Sequence, residues 1–130
     1  MAEIGVLEGY KHKEEVPDAE YMKLENQLSF PLYVVAKEIV NAYRNHLDPL
    51  NLTYTQYIVM MALWQYGDLS VKELGQVLRL DSGTLTPLLK KLEAKAFLKR
   101  KRSRQDERVV MVTLTDTGKA LRDEAVHIPR

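Results

Sequence analysis

The chain has 130 residues, of which 45% are hydrophobic and 28% are charged, so it is long enough for one hydrophobic core and has the balance of an ordinary soluble globular domain. With no cysteine it can form neither a disulfide nor a thiolate metal site, and its three histidines are too scattered to suggest a metal cluster. No apolar run approaches a membrane span and the start of the chain is polar, so we expect no membrane partner and a cytoplasmic location.

Charge is distributed unevenly along the chain, although the formal net charge is only +1. Residues 1–25 contain seven acidic residues and three lysines, whereas residues 90–108 contain nine basic residues and three acidic ones. A net charge near zero does not show whether the partner is a nucleic acid, so the distribution of charge along the chain has to be used instead. The positive charge is concentrated in one part of the chain.

The N-terminal third predicts an arm followed by one long helix. Residues 1–22 have no sustained period and contain two glycines and a proline, so we expect a loosely ordered arm. From about Leu24 to His46 apolar residues recur at helical spacing, and Asp48 and Pro49 end this amphipathic helix. Pro31 falls inside its first turns, where it removes a backbone donor. The rest of the chain, residues 23–130, is predicted to be a single domain.

Two capped helices are predicted next. Thr53 or Thr55 is placed to cap a mostly apolar helix that is central to the core and ends at Gly67. Residues 70–73 read Ser-Val-Lys-Glu, a capping box that begins a shorter helix. Four apolar residues form the predicted buried stripe of this shorter helix: Val71, Leu74, Val77 and Leu78.

A third helix and a basic hairpin follow. After a turn at Arg79 and Leu80, Asp81 or Ser82 can cap a helix running to about Lys95. Leucines occupy one face of this helix, at positions Leu85, Leu88, Leu89 and Leu92. Residues 97–102 and 108–114 read as two strands joined by a polar tip, and the apolar run from Val109 to Val112 should lie on the core.

A last helix, capped by Thr115, is predicted from Asp116 to about Ala125. The fold class that this order of elements predicts is mainly α with a small β-hairpin wing, a winged helix-turn-helix.

Polar residues on the third helix and the hairpin predict a DNA-binding surface. Ser82, Thr84 and Thr86 are short hydrogen-bonding residues at the start of the helix, where they could reach base edges in the major groove. Basic side chains that would meet phosphate oxygens are Lys90, Lys91 and Arg100. An arginine at a hairpin tip can enter the minor groove, which Arg104 or Arg108 could do. For a charge run alone, a solvated basic hairpin would be the simpler interpretation.

Local motifs carry a family resemblance. The segment 80–93, LDSGTLTPLLKKLE, with Asp-Glu-Arg at 106–108 and Val-Thr-Leu-Thr at 112–115, resembles the MarR family of bacterial repressors. Upstream, KLENQLSF at 23–30 and LTYTQY at 52–57 resemble its organic hydroperoxide-sensing branch. The resemblance covers about Lys23 to Ile128.

This resemblance implies a function and an assembly. It implies a transcriptional regulator, expected to be a repressor, with the recognition helix 82–95 in the major groove and the wing 97–114 in the minor groove. Asp106 would orient Arg108 for the minor groove. The regulator would be a homodimer on a pseudo-palindromic operator in double-stranded DNA, with its two recognition helices about 34 Å apart. The long N-terminal helix would be a dimer helix, and we expect the C-terminal dimer helices to be short or absent.

One departure from the resemblance concerns sensing. The branch has a reactive cysteine where this chain has Ser29, whereas the tyrosines that would hydrogen-bond the thiolate are both present, as Tyr43 and Tyr54. A serine hydroxyl does not undergo the oxidation of a thiol, so peroxide cannot act through position 29 as it would through cysteine. Ser29 is either an engineered replacement or the mark of a natural relative that lost peroxide sensing. For the two tyrosines, packing in the core or an interface is as good an interpretation as a polar role.

Three alternatives remain at this point. The first is a winged-helix protein-interaction module whose basic hairpin meets an acidic partner. The second is a MarR-type regulator that responds to a small ligand instead of peroxide. The third, an enzyme, is the weakest, because the sequence has no glycine-rich phosphate loop, no nucleophile-base pair and no zinc-ligand spacing. We therefore expect no catalytic activity, no cofactor and no metal.

Overall fold

The computed structural model describes residues 18–129, so most of the predicted arm lies outside the described residues. The chain divides into two compact units, residues 1–39 and residues 40–130. The described part of the first unit contains helix α1 (Asp18–Tyr21), a 3₁₀ turn (Leu24–Asn26) and the beginning of helix α2 (Ser29–Leu47). The second unit contains the end of α2 and all later elements.

Helix α2 begins at Ser29 and not near Leu24 as the apolar spacing predicted. Pro31 explains the difference, because a helix running through Gln27 would need a backbone donor at position 31 that proline lacks. Starting at Ser29 places Pro31 in the first turn, where the backbone donors have no acceptor within the helix. Within the first unit, the apolar side chains of α2 are exposed: Leu32, Tyr33, Val35 and Ile39.

The second unit contains four further helices: α3 (Tyr54–Tyr66), α4 (Val71–Leu78), α5 (Ser82–Ala94) and α6 (Asp116–Ala125). A 3₁₀ turn (Asp48–Leu50) joins α2 to α3. Where the sequence left two caps possible, the side chains of Thr53 and Asp81 accept the capping bonds. No helix in residues 18–129 combines the length and apolar character that a bilayer crossing needs.

A three-stranded antiparallel sheet completes the unit, in the order β1 (Leu69–Ser70), β3 (Val110–Leu114), β2 (Leu98–Arg102). The hairpin β2–β3 pairs Leu98 with Leu114 and Arg102 with Val110. Both strands of the predicted hairpin are therefore present, in slightly shorter form. The sequence did not predict β1, because two residues are too few to show a strand period.

The core comes mainly from α3, α4, α5 and the sheet, and includes fully buried Met60, Leu74, Leu89 and Val112. Two burial predictions were wrong in part. Val77 is 43% exposed, because it lies about 90° around α4 from the centre of the stripe formed by the other three residues. In the run from Val109 to Val112, only Val112 is buried and the other three side chains are half-buried.

Candidate nucleic-acid interface

A tight turn joins α4 to α5. Arg79, the C-cap of α4, adopts the left-handed conformation with φ of 55°, and the backbone N–H of Leu80 donates to the carbonyl of Gly75 at 3.0 Å. A Cβ at Gly75 would lie 2.9 Å from the Leu80 oxygen, so the turn needs glycine there. Asp81 then caps α5 by accepting the backbone N–H of Thr84 at 3.0 Å. These contacts fix where α5 begins.

Helix α5 presents a buried face and a polar face. Leu85, Leu89 and Leu92 are buried, and Leu88 is half-buried. The residues that the sequence assigned to DNA fall on the other side: Ser82, Thr84, Lys90 and Lys91 are exposed and Thr86 is half-buried. The start of α5 therefore offers hydroxyl groups to a partner, and its later turns offer ammonium groups.

At the end of the hairpin, Asp106 holds Arg108 by three hydrogen bonds. Asp106 Oδ1 accepts the backbone N–H and the Nε–H of Arg108, both at 3.1 Å, and Oδ2 accepts from Nη2 at 3.3 Å. The hydrogen bonds from the Arg108 side chain are the largest cause that holds the pKa of the Asp106 carboxyl below its usual range, and the bond from the Arg108 backbone N–H is the next. The Arg108 side chain nevertheless remains 90% exposed. Arg108 is thus oriented by Asp106, while Arg104 is exposed at the tip and is held by no carboxylate among residues 18–129.

Arg100 differs from the other predicted basic residues because it is already paired. Its Nη2 donates to Glu93 Oε1 at 3.1 Å, and its side chain is only 25% exposed. Its Nε is buried and has no hydrogen-bond partner among the described residues. Arg100 is therefore less available to a phosphate than its sequence position suggested.

A groove of about 740 Å³ lies between α4, α5 and the hairpin. It brings together four of the predicted residues, Ser82, Thr86, Arg100 and Arg108, whereas Thr84, Lys90, Lys91 and Arg104 do not line it. It also contains Lys72 and Gln76, which sequence reasoning missed. Their spacing of four residues on the exposed side of α4 was the available signal.

The residues predicted for sensing are divided between the two units. Tyr43 and Tyr54 are in contact, with ring centroids 5.3 Å apart, and Tyr57 extends this aromatic cluster at 6.2 Å from Tyr43. The three tyrosines line a second groove of about 740 Å³ together with Trp64 and Arg122. Ser29 is the first residue of α2 and belongs to the other unit.

Residues 41–125 match the family model described as transcriptional regulator SarA/Rot. The chain is 49% identical over 110 residues to the organic hydroperoxide resistance transcriptional regulator of Bacillus subtilis strain 168, covering 85% of this chain and 75% of that protein. It is also 49% identical over 105 residues to the HTH-type transcriptional regulator SarZ of Staphylococcus aureus strain USA300, covering 81% of this chain and 71% of that protein. Both relatives are transcriptional regulators.

Solved structures with the same fold include regulators bound to DNA. Overoxidized AbfR bound to DNA matches with a TM-score of 0.77 and 36% identity, over 86% of this chain and 82% of that one. A cysteine-to-serine mutant of MarR from E. coli, complexed with operator DNA, matches with a TM-score of 0.72 and 28% identity, over 78% of this chain and 72% of that one. These similarities confirm the predicted winged helix-turn-helix.

Proposed function

The chain belongs to the MarR-type transcriptional regulators, in the branch of the Bacillus subtilis organic hydroperoxide regulator, and we propose that it is a repressor that binds a palindromic operator as a homodimer. One observation carries this proposal. A capped helix with exposed hydroxyl groups lies beside a hairpin whose Arg108 is oriented by Asp106 and exposed to solvent. No catalytic activity is part of this function, and binding the chromosome would place the protein in the cytoplasm.

Each part of the surface takes a role that suits its chemistry. In our proposal the start of α5 enters the major groove, where Ser82, Thr84 and Thr86 contact base edges. Phosphate oxygens are contacted by Lys90 and Lys91, and also by the newly identified Lys72, which lies in the groove beside the hairpin. Arg108 enters the minor groove, with Arg104 beside it at the tip.

The exposed apolar residues of α2 support the homodimer. Leu32 is 64% exposed, Tyr33 62%, Val35 56% and Ile39 52%, which is unusual for consecutive turns of one helix in a soluble protein. A second copy would cover this surface and give the two-fold symmetry that a palindrome mirrors. The first residues of α2 are therefore proposed to lie in a dimer interface.

Operator binding is the first expected result. A palindrome selected from a randomised duplex library should bind at least about a thousandfold more tightly than a random duplex at physiological salt. Binding to both duplexes should weaken steeply as salt rises, because the basic residues displace counterions from phosphates. Fluorescence anisotropy with labelled duplexes measures both effects. Equal affinity for the two duplexes would contradict the proposal, and would favour the interpretation as a protein-interaction module.

Sensing gives the second expected result. Organic hydroperoxide should not release the operator from the chain with Ser29, because a serine hydroxyl forms no sulfenic acid. Ser29→Cys should release it on the same treatment, because a thiol undergoes the oxidation that a hydroxyl does not. The measurement is operator release after addition of cumene hydroperoxide, and Thr117→Cys, at an exposed position of α6 outside the proposed DNA-binding surface, serves as a control thiol. Release from Thr117→Cys but not from Ser29→Cys would remove position 29 from the proposal.

A second candidate is regulation by a small ligand. The groove lined by Tyr43, Tyr54, Tyr57 and Arg122 favours it, because aromatic rings beside a guanidinium suit an aromatic acid. Failure of Ser29→Cys to respond to peroxide would make this candidate the better one.

A further inference from the structure

We propose that Glu93 and Arg100 form a clamp that sets the position of the hairpin relative to helix α5, so that Glu93 is a positioning residue for DNA binding in spite of its negative charge. This inference rests on the proposed function. It concerns a residue that the basic character of the surface would lead one to regard as unfavourable for binding.

Both carboxylate oxygens of Glu93 bind the same residue, Arg100. Glu93 Oε2 accepts the backbone N–H of Arg100 at 2.9 Å, and Oε1 accepts from Nη2 at 3.1 Å. Glu93 is in the last turn of α5 and Arg100 is the central residue of β2. A bond to the backbone attaches the strand itself, which a contact between two flexible side chains would not do.

The place of β2 in the sheet explains why this backbone donor is free. With the strand order β1, β3, β2, the strand β2 pairs on one side only, so alternate N–H groups point away from β3. The Arg100 N–H is one of these, and Glu93 satisfies it. The Arg100 side chain makes the larger contribution and its backbone N–H the next in holding the pKa of the Glu93 carboxyl below its usual range, so the carboxylate stays charged.

The contacts nearer α5 fix only the base of the hairpin. Phe97 N–H donates to the Leu92 carbonyl at 3.1 Å, and Thr115 Oγ1 donates to the Ala96 carbonyl at 2.6 Å. Among residues 18–129, no hydrogen bond or ion pair joins residues 101–109 to α5. The clamp at Arg100 is therefore the outermost polar attachment of the hairpin to the helix.

A small tilt of the hairpin would move its tip by a large distance. About four residues separate Arg100 from the tip, or about 13 Å of extended strand, so a tilt of about 10° displaces the tip by about 2 Å. That displacement exceeds the tolerance of a hydrogen bond, so Arg108 could not enter the minor groove while α5 occupies the major groove. Holding this angle in the free protein removes part of the ordering cost of binding.

Coulomb repulsion between Glu93 and phosphates, and positioning of the hairpin by Glu93, predict opposite signs for the change in operator affinity when Glu93 is removed. If charge alone mattered, removing a carboxylate from a surface that faces phosphates would tighten binding. If Glu93 positions the hairpin, its removal frees the hairpin and weakens binding to the operator. The direction of the change therefore separates the two explanations without any assumption about its size.

The test measures operator affinity for Glu93→Ala and for Glu93→Gln, with thermal unfolding as a check that each is folded. We expect Glu93→Ala to bind the operator about tenfold more weakly. Glu93→Gln should bind about two- to threefold more weakly, because one amide oxygen keeps one of the two bonds. Glu107→Ala is the matched control, since it removes the same charge from the hairpin but leaves the clamp intact, and it should bind equally or more tightly.

A double-mutant cycle with Arg108→Ala shows whether Glu93 acts through the hairpin. Once Arg108 no longer reaches the minor groove, Glu93→Ala should weaken binding by less than about twofold further. Equal or tighter binding by both Glu93 variants, or full additivity with Arg108→Ala, would overturn the inference while the proposed function stands. Failure of the unmodified chain to prefer its operator would instead overturn the proposed function.

Discussion

Arg108→Ala is expected to weaken binding to the operator by about tenfold to a hundredfold. Arg108 is the one residue of the hairpin that is both oriented by a carboxylate and 90% exposed. Its guanidinium is therefore available to the negative potential of a narrow minor groove without first losing side-chain freedom. Titration of labelled operator by fluorescence anisotropy measures the loss, and a random duplex measured in parallel shows how much of the loss is specific.

Arg104→Ala is the matched control for this prediction. It removes the same charge from the same tip, but in the part of the chain that the structure describes no carboxylate orients Arg104. Its loss should weaken binding to operator and random duplex by a similar small factor and lower the salt slope by about one. Asp106→Ala should cause part of the loss of operator affinity seen with Arg108→Ala, because Arg108 keeps its charge but loses the carboxylate that orients it. Unchanged operator affinity in Arg108→Ala would mean that Arg108 does not contact the operator.

Gly118→Ala is expected to lower the free energy of unfolding by at least about 3 kcal/mol, the upper end of what overpacking usually costs. A Cβ at this position would lie 2.0 Å from the carbonyl oxygen of Phe97 and 2.9 Å from its carbonyl carbon. Neither backbone can easily move. The Phe97 carbonyl accepts the Thr115 N–H at 3.1 Å, and the Gly118 carbonyl accepts Trp64 Nε1–H at 2.9 Å. Urea unfolding followed by circular dichroism gives the free energy.

Gly83→Ala provides the control for Gly118→Ala. At position 83 an added Cβ meets only the Asp81 carboxylate, at 3.9 Å, so the new methyl group fits. Alanine is also the better helix former, so unfolding should be unchanged or slightly harder. Similar free energies of unfolding for Gly118→Ala and Gly83→Ala would mean that α6 can move away from Phe97, contrary to the close contact described above.

Several features could be predicted from local sequence because their causes lie within a few residues. The capping box at Ser70 and Glu73 forms as its spacing indicates, with bonds of 3.0 Å in both directions. The leucine face of α5 and the antiparallel hairpin follow from periods of 3.6 and 2 residues. The pairing of Asp106 with Arg108 spans two residues, so the resemblance could imply it from one short motif.

Other features could not be predicted because they depend on contacts between segments distant in the chain. The strand β1 exists only because Leu69 and Ser70 pair with β3, more than forty residues later. Lys72 joins the candidate interface because α4 and the hairpin line one groove. The charge of Arg100 alone predicted a phosphate contact, and only the fold shows that Glu93 already binds this residue.

The sequence by itself determined the class of fold and the order of its longer helices and hairpin strands, because helix caps, turn residues and hydrophobic periods act over a few residues. The tertiary structure decided which residues share a surface, which are already bound within the protein and which are exposed. Those properties depend on packing between α4, α5 and the sheet. Residue charge and local spacing do not specify that packing.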